Sequence, residues 1–240
     1  LKILAIDTSS NICSVCLLEN DKPLHTLEIK NEKTHSEKLM PLVQELLNVA
    51  KITLNEIDLI ACDKGPGSFT GIRIGISSVK AMAEVQKLNI VGVSSLESLA
   101  YNEIFDGIIC SLIDARNNQV YCGIFDSNRN QLGELMADDI SIVLETIENL
   151  WTATNSNYLG TCGQVPLQFI GDGAVLHQNI IKEKFQTNAN FSKNNEQTSI
   201  SIGRCAYHKF LNGQIDSADS ITPLYLRKSQ AERMQDVMPT

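Results

Sequence analysis

The sequence predicts an α/β protein made of two copies of one lobe, each a mixed sheet with helices on its faces. Three observations carry this reading. Strand-length apolar segments alternate with segments of helical period. Residues 4–21 recur without a gap as residues 111–128. A glycine-rich loop, KGPGSFTGIR (64–73), joins an apolar strand to a helix.

In chain order, Lys2–Asp7 and Ile12–Glu19 are strands, and the turn END (19–21) leads to a third, Pro23–Lys30. A helix runs from His35 to about Ala50, and Thr34 with Glu37 spells a capping box at its start. A second T-x-x-E, Thr53 with Glu56, opens a short turn before the strand Ile57–Cys62. The glycine loop, a helix from Gly71 to about Lys87, the strand Ile90–Val93 and the helix Leu96–Ile104 complete a βββαβαβα order.

The recurrence defines the second half. Setting LAIDTSSNICSVCLLEND over SLIDARNNQVYCGIFDSN pairs Asp7 with Asp114, Asn11 with Asn118 and Glu19 with Asp126. A third strand and a helix follow each copy: PLHTLEIK with HSEKLMPLVQELL, then LGELMA with SIVLETIENL. The expected division is a lobe of residues 1–106, a lobe of residues 107–226 and a tail, 227–240. Within the second lobe, LQFIGDGAVLHQNIIKEKF reads as strand, double-glycine turn and helix, and SISIGRCAYHKFLNG as a helix closed by Gly213. The Asn/Ser/Thr-rich stretches WTATNSNYLGTCGQ and QTNANFSKNNEQTS read as loops.

A net charge of −8 makes phosphate attraction weak over most of the surface, so any nucleic acid is expected to be bound by a partner and held here only indirectly. The small basic cluster Arg227, Lys228 and Arg233 near the C-terminus is the exception, read as a solvated tail with contact to RNA or a partner left open. No apolar stretch near the N-terminus reaches the length of a membrane span, and seven cysteines without a secretory signal read as reduced thiols of a cytoplasmic protein. Cys13 and Cys16 spell C-x-x-C but lie in an alternating strand, where residues three apart face opposite ways.

The chemistry-bearing residues form no catalytic set. Gly65, Gly67 and Gly71 miss the dinucleotide spacing by one residue, and Ile72 and Arg73 stand where a P-loop needs Lys and Ser/Thr. Ser68 and Thr70 have no Ser–His–Asp order around them. His25, His35, His177 and His208 include no metal-binding pair, so neither metal nor cofactor is expected. Asp7 could poise a water on a bound nucleotide, or simply cap the turn after its strand. On the two helices, Leu39, Val43, Leu46 and Ala50 form the stripe needed by the sheet, while Met40 and Leu47, with Ile74 and Met82, form a second, expected to stay partly exposed as a patch.

The duplicated lobe, the IDTS turn after its first strand and GPGSFTGIRIG after its fourth resemble the actin/Hsp70/sugar-kinase superfamily, and matching segments, LAIDTSS, HSEKLMPLVQELL, GPGSFTGIRIGISSVKAMAE, VSSLESLA, LIDARNNQVYCGIF, FIGDGA and PLYLR, run through most of the chain. Within it, they resemble the bacterial TsaB (YeaZ, glycoprotease-like) family of tRNA threonylcarbamoyladenosine biosynthesis proteins. The resemblance implies two ribonuclease H-like lobes. It also implies a non-catalytic scaffold for TsaD, the paralogue that moves a threonylcarbamoyl group onto adenosine beside the tRNA anticodon. TsaD carries two metal-binding histidines in V-N-H-M-E-G-H; here the segment is VSSLESL, with Ser95 and Leu99 at those positions. The implied partners are a TsaD-type paralogue in a heterodimer, a TsaE-type ATPase in a larger complex, and a second copy in a homodimer when TsaD is absent. The implied interface comprises His35, Met40, Val43, Leu47, Ile72, Ile74, Gly75, Ser78 and Met82; the implied vestige of nucleotide binding comprises Asp7, Thr8, Gly67, Ser68 and Thr70. The competing readings are an autonomous nucleotide hydrolase or kinase of this fold, and a peptidase.

Overall fold

The computed structural model describes residues 1–30, 35–157 and 164–227. Its first sheet is built from β1 (Lys2–Asp7), β2 (Ile12–Glu19), β3 (Lys22–Lys30), β4 (Leu59–Asp63) and β5 (Asn89–Val93), in the order β3-β2-β1-β4-β5. β1 runs antiparallel to β2 and parallel to β4, because a tight turn joins the first pair and a helix crossover the second. The helices of this half are α1 (His35–Ala50), α2 (Phe69–Gln86) and α3 (Ser95–Ala100). The capping box at Thr53 is present, its amide donating to Glu56 Oε2 at 2.8 Å. The one expected at Thr34 lies outside the described residues.

The second sheet repeats the plan. β6 (Ile108–Asp114), β7 (Gln119–Phe125), β8 (Met136–Asp139), β9 (Leu167–Ile170) and β10 (Ala189–Phe191) lie in the order β10-β9-β6-β7-β8. Its helices are α4 (Ile140–Asn157), α5 (Asp172–Leu176), α6 (Gln178–Phe185) and α7 (Ser199–Leu211).

Strand alternation sorts the apolar residues onto two faces of each sheet. Leu4, Ile6, Cys13, Val15 and Ile60 pack under α1 and α2; Ile3, Ala5, Cys16 and Leu59 pack under α7. Cys13 and Cys16 thus sit on opposite faces. In the second sheet Cys110, Leu112, Val120 and Cys122 lie under α4 and α6, whereas Ile109, Ile113, Phe125 and Ile170 lie under α3. Each sheet is therefore covered on one face by a helix from the other half of the chain. α3 and α7 meet along the seam, where Lys209 Nζ reaches Glu97 Oε1 at 2.8 Å.

The facing pattern corrects the gapless repeat by one residue. Asp7 pairs with Ser14, and the pair that matches it in facing is Ile113 with Tyr121. Asp114 lies one position further, paired with Val120. The second turn takes up the extra residue with three consecutive left-handed residues, Arg116, Asn117 and Asn118, at φ 63, 54 and 62.

Candidate functional site

Parallel pairing of β1 with β4 sets Ile6 beside Cys62, so the strands end side by side on Asp7 and Asp63. Both carboxylates are fully buried, and the turn after β1 closes over them. Ser9 Oγ lies 2.7 Å from Asp7 Oδ1, 3.2 Å from Asp63 Oδ2 and 3.0 Å from Gln197 Oε1. Ser95 Oγ, at the start of α3, lies 2.8 and 2.9 Å from the two oxygens of Asp63. Asp7 Oδ2 is buried without a hydrogen-bond partner among the described residues.

Burial, and then the charge of Asp7, push the Asp63 carboxyl well above the usual carboxylate range. Burial raises Asp7 as well, while its bonds from Ser9 and the interaction with His35 pull the other way. A hydroxyl with a single proton cannot donate to several oxygens at once. One proton held on Asp63 satisfies two of the three contacts: Asp63 donates to Ser9 Oγ and Ser9 Oγ donates to Asp7 Oδ1, which leaves the approach of Gln197 Oε1 to Ser9 Oγ without a proton between them.

The glycine loop locks this turn from above. Ser68 N donates to Ser9 O at 2.7 Å, and Thr8 Oγ1 donates to Gly71 O at 2.7 Å. A Cβ on Gly71 would fall 1.9 Å from Thr8 O, so only glycine permits this backbone approach. Ser68 caps α2 by accepting from Gly71 N at 3.2 Å.

Beside this lock a cleft of about 740 Å³ opens between the lobes. The first lobe contributes Ser9 to Ile12, Lys30 and Gly67 to Phe69; the second contributes Ile113 to Arg116, Tyr121, Asp172 and Asn195 to Gln197. Three carboxylates (Asp114, Asp172, Glu196) face two cations (Lys30, Arg116), which disfavours an anionic ligand. Several backbone amides of the two turns are already bound by the chain's own carboxylates. Ser9 N donates to Asp7, Asp114 N to Asp172 and Arg116 N to Asp114, at 2.8, 2.9 and 2.8 Å.

The residues singled out from the sequence are distributed unevenly. Gly67 and Ser68 line the cleft, Asp7 and Thr8 are buried beneath its turn, and Thr70 is exposed on the first turn of α2, away from the cleft lining. Of the interface set, His35 Nε2 is 2.8 Å from Ser10 O, Ile74 and Ser78 are half-buried, and Gly75 is buried against Thr8. Met40 is 45% exposed, but Val43, Leu47, Ile72 and Met82 are core residues at 3, 6, 2 and 7%. The expected patch of Met40, Leu47, Ile74 and Met82 is thus not a surface stripe. α1 and α2 lie side by side on the sheet and bury much of both stripes between them. Exposed apolar groups on these helices are Met40, Val49, Phe69 and Val85. Sequence reasoning missed Asp63 and Ser9, and it noted Ser95 only as a replaced histidine, not as a partner of Asp63. The legible signal for Asp63 was an acid closing the apolar run LIACD directly before the glycine loop. Arg227 Nη1 donates to Ala115 O at 2.8 Å, so the basic cluster begins on a protein contact; Lys228 and Arg233 lie outside the described residues.

Two such lobes flanking a cleft define the actin/Hsp70/sugar-kinase architecture. The ROK hexokinase of Thermus thermophilus shares the fold, with a TM-score of 0.54 at 9% identity over 89% of this chain and 100% of that one. At closer range, the family model TsaD, tRNA N6-adenosine threonylcarbamoyltransferase, matches residues 29–235. The tRNA threonylcarbamoyladenosine biosynthesis protein TsaB of Bacillus subtilis (strain 168) is 32% identical over 97% of this chain and 96% of its own length. A crystal structure of a Pseudomonas aeruginosa protein similar to peptidase YeaZ superposes with a TM-score of 0.74 at 25% identity, covering 94% of this chain and 99% of the other. The chain belongs to the TsaB family, within the wider family that the TsaD model describes.

Proposed function

We propose that this chain is the non-catalytic partner of a TsaD-type transferase in the biosynthesis of threonylcarbamoyladenosine on tRNA. The observation that carries the reading is the state of Ser95 and Leu99, which stand where the transferase paralogue has its metal-binding histidines. Ser95 is 0% exposed and its hydroxyl is engaged by Asp63. Leu99 is 0% exposed, packed with Leu96, Ile109 and Ile113. Neither position offers the imidazole that held the divalent ion needed for Lewis-acid chemistry: Ser95 is committed to Asp63, Leu99 has no donor atom, and the helix's carboxylate, Glu97, is paired with Lys209.

The partner surface is the outer side of α1 and α2, with Met40 exposed and Val43, Leu47, Ile72, Ile74, Gly75, Ser78 and Met82 shaping it from below or at its edge. A TsaE-type ATPase joins the heterodimer in a larger complex, and two copies of this chain pair through the same face when the transferase is absent. tRNA is reached through the partner, in the cytoplasm. Asp7, Thr8, Gly67, Ser68 and Thr70 are what remains of a nucleotide site whose turns the chain's own carboxylates now fill.

Met40→Glu tests this. At 45% exposure the new carboxylate stays hydrated in the free chain, so folding survives. In the complex it is desolvated, and affinity for the cognate transferase should fall at least tenfold, about 1.4 kcal/mol, with tRNA modification falling in parallel. Unchanged affinity, or modification of tRNA by this chain alone, would overturn the proposal.

A further inference from the structure

The last described residues cross from one lobe to the other. Ile221 is 1% exposed in the core under α1 and α2. Leu224 N donates to Lys64 O at 2.7 Å, where the glycine loop begins. The Tyr225 ring stacks on Phe69, the first residue of α2, with centroids 4.5 Å apart and planes inclined by 22°. Arg73 Nε donates to Tyr225 Oη at 2.8 Å, and its guanidinium lies 4.1 Å over the Phe69 ring. One residue on, Leu226 packs into the second-lobe cluster under α3, and Arg227 Nη1 reaches Ala115 O. Phe69 and Ala115 line the cleft from opposite sides.

We propose that residues 221–227 form a strap joining the two walls of the cleft, with Tyr225 and Arg227 as its positioning residues. The segment belongs to no sheet ladder; beyond the backbone bond from Leu224 to Lys64, side chains hold it, and they are spaced to do so. Tyr225 grips the glycine loop and the first turn of α2, Leu226 fills the second-lobe core, and Arg227 closes on the turn after β6. Both aromatic rings are partly open to solvent, Phe69 at 36% and Tyr225 at 42%, which burial of apolar surface alone would not favour. The strap fixes where α2 starts relative to the second lobe. That its release weakens partner binding rests on the function proposed above.

The test is hydrogen exchange by mass spectrometry on the full chain without partner, for Tyr225→Ala, Tyr225→Phe and Arg227→Ala, followed by titration with the transferase paralogue. In Tyr225→Ala, amides of residues 64–73 should exchange at least tenfold faster, while α4 exchanges as in the unmodified chain and so controls for global opening. Tyr225→Phe keeps the ring stack and should retain most of the protection, and Arg227→Ala should speed exchange at residues 115–119. Affinity for the partner should fall at least fivefold in Tyr225→Ala. Unchanged exchange at residues 64–73 in Tyr225→Ala would overturn the strap. Faster exchange with unchanged affinity would support the strap and overturn the assignment of α2 to the partner surface.

Discussion

In the first lobe the turn after β1 closes over two carboxylates, and in the second lobe the turn after β6 closes over none. Asp7 and Asp63 end neighbouring strands at 0 and 1% exposure. Counting by facing, the second-lobe equivalents are Ile113, which is buried, and Asp172, which is exposed. Asp114 lies one position further, as the last residue of β6, and accepts from Arg116 N instead. One residue of turn length therefore separates a dry acid pair under a glycine lock from a solvated acid beside an aliphatic side chain. The pKa directions follow. Asp63 is pushed well above its ordinary value, and Asp172 is raised by partial desolvation and by the charge of Asp114 against the pull of its backbone bonds. Duplicated topology leaves the electrostatics of each copy to be set by its own turn.

The features shared by the lobes should give the largest effects. Each lobe brings the loop after its fourth strand onto backbone near the end of its first. A Cβ would fall 1.9 Å from Thr8 O at Gly71 and 2.1 Å from Leu112 O at Gly171. Gly171 also has φ +107. Gly71→Ala and Gly171→Ala should each cost about 1–3 kcal/mol or more, with Gly171→Ala the worse. At about 2–4 °C per kcal/mol, a thermal melt resolves this. Gly213→Ala, at φ +75 with nothing within 4 Å, should cost about 1 kcal/mol and calibrates the backbone contribution alone. A melt in which Gly71→Ala behaves like Gly213→Ala would mean that only the second lobe depends on close backbone approach.

The feature that differs should appear in the pH dependence. Asp63 binds its proton more tightly folded than unfolded, so between its ordinary pKa near 3.8 and its raised folded value the native state holds the extra proton. Stability due to this group is then full at low pH and is lost as pH rises, by at most about 1.4 kcal/mol per pH unit. Asp63→Asn should remove that slope, making the variant progressively more stable relative to the unmodified chain as pH increases from 4 toward 8. Asp172→Asn should change the slope in the same direction but less, because Asp172 keeps contact with water. Denaturant titrations across that range compare the three proteins. Equal slopes for the two variants would erase the contrast between the lobes.

Most strands and helices were legible because each carries its period in its own residues. Ile12–Glu19 shows alternation and His35–Ala50 shows a helical stripe, whatever they pack against. The duplication was legible too, but its register was not, since a left-handed run such as Arg116–Asn118 leaves no signature in polarity. The burial of Leu47 and Met82 escaped because periodicity reports which residues share a face and not how many neighbours that face has. Asp63 was overlooked because an acid at a strand end ordinarily reads as a turn former; only its parallel neighbour Asp7, distant in sequence, makes it unusual. The return of α7 to the first sheet is likewise long-range information, carried by Ile202, Cys205 and Ala206 only once their partners are known.

The smallest contrast lies in the ion pairs. Lys209 and Glu97 tie α7 to α3 across the seam, with side chains 18 and 23% exposed, and Glu97 also accepts from Ser94 N at 2.8 Å. Lys184 and Glu148 join α6 to α4 on the outside of the second lobe at 2.6 Å, with exposures of 26 and 47%. A pair in contact with water is screened by solvent and ions and contributes about 0–1 kcal/mol, so neither replacement should unfold the chain. Glu97→Gln should still cost more, roughly 0.5–1 kcal/mol, because the seam restricts hydration of the lysine left behind, whereas Glu148→Gln should cost about 0.5 kcal/mol or less. Raising the salt from 0.1 to 1 M shortens the screening length from about 10 to 3 Å and should abolish the Glu148 effect while leaving part of the Glu97 effect. Equal costs that vanish together in salt would show that the seam between the lobes is as wet as the outer surface, and that α3 and α7 are held there by their apolar contacts alone.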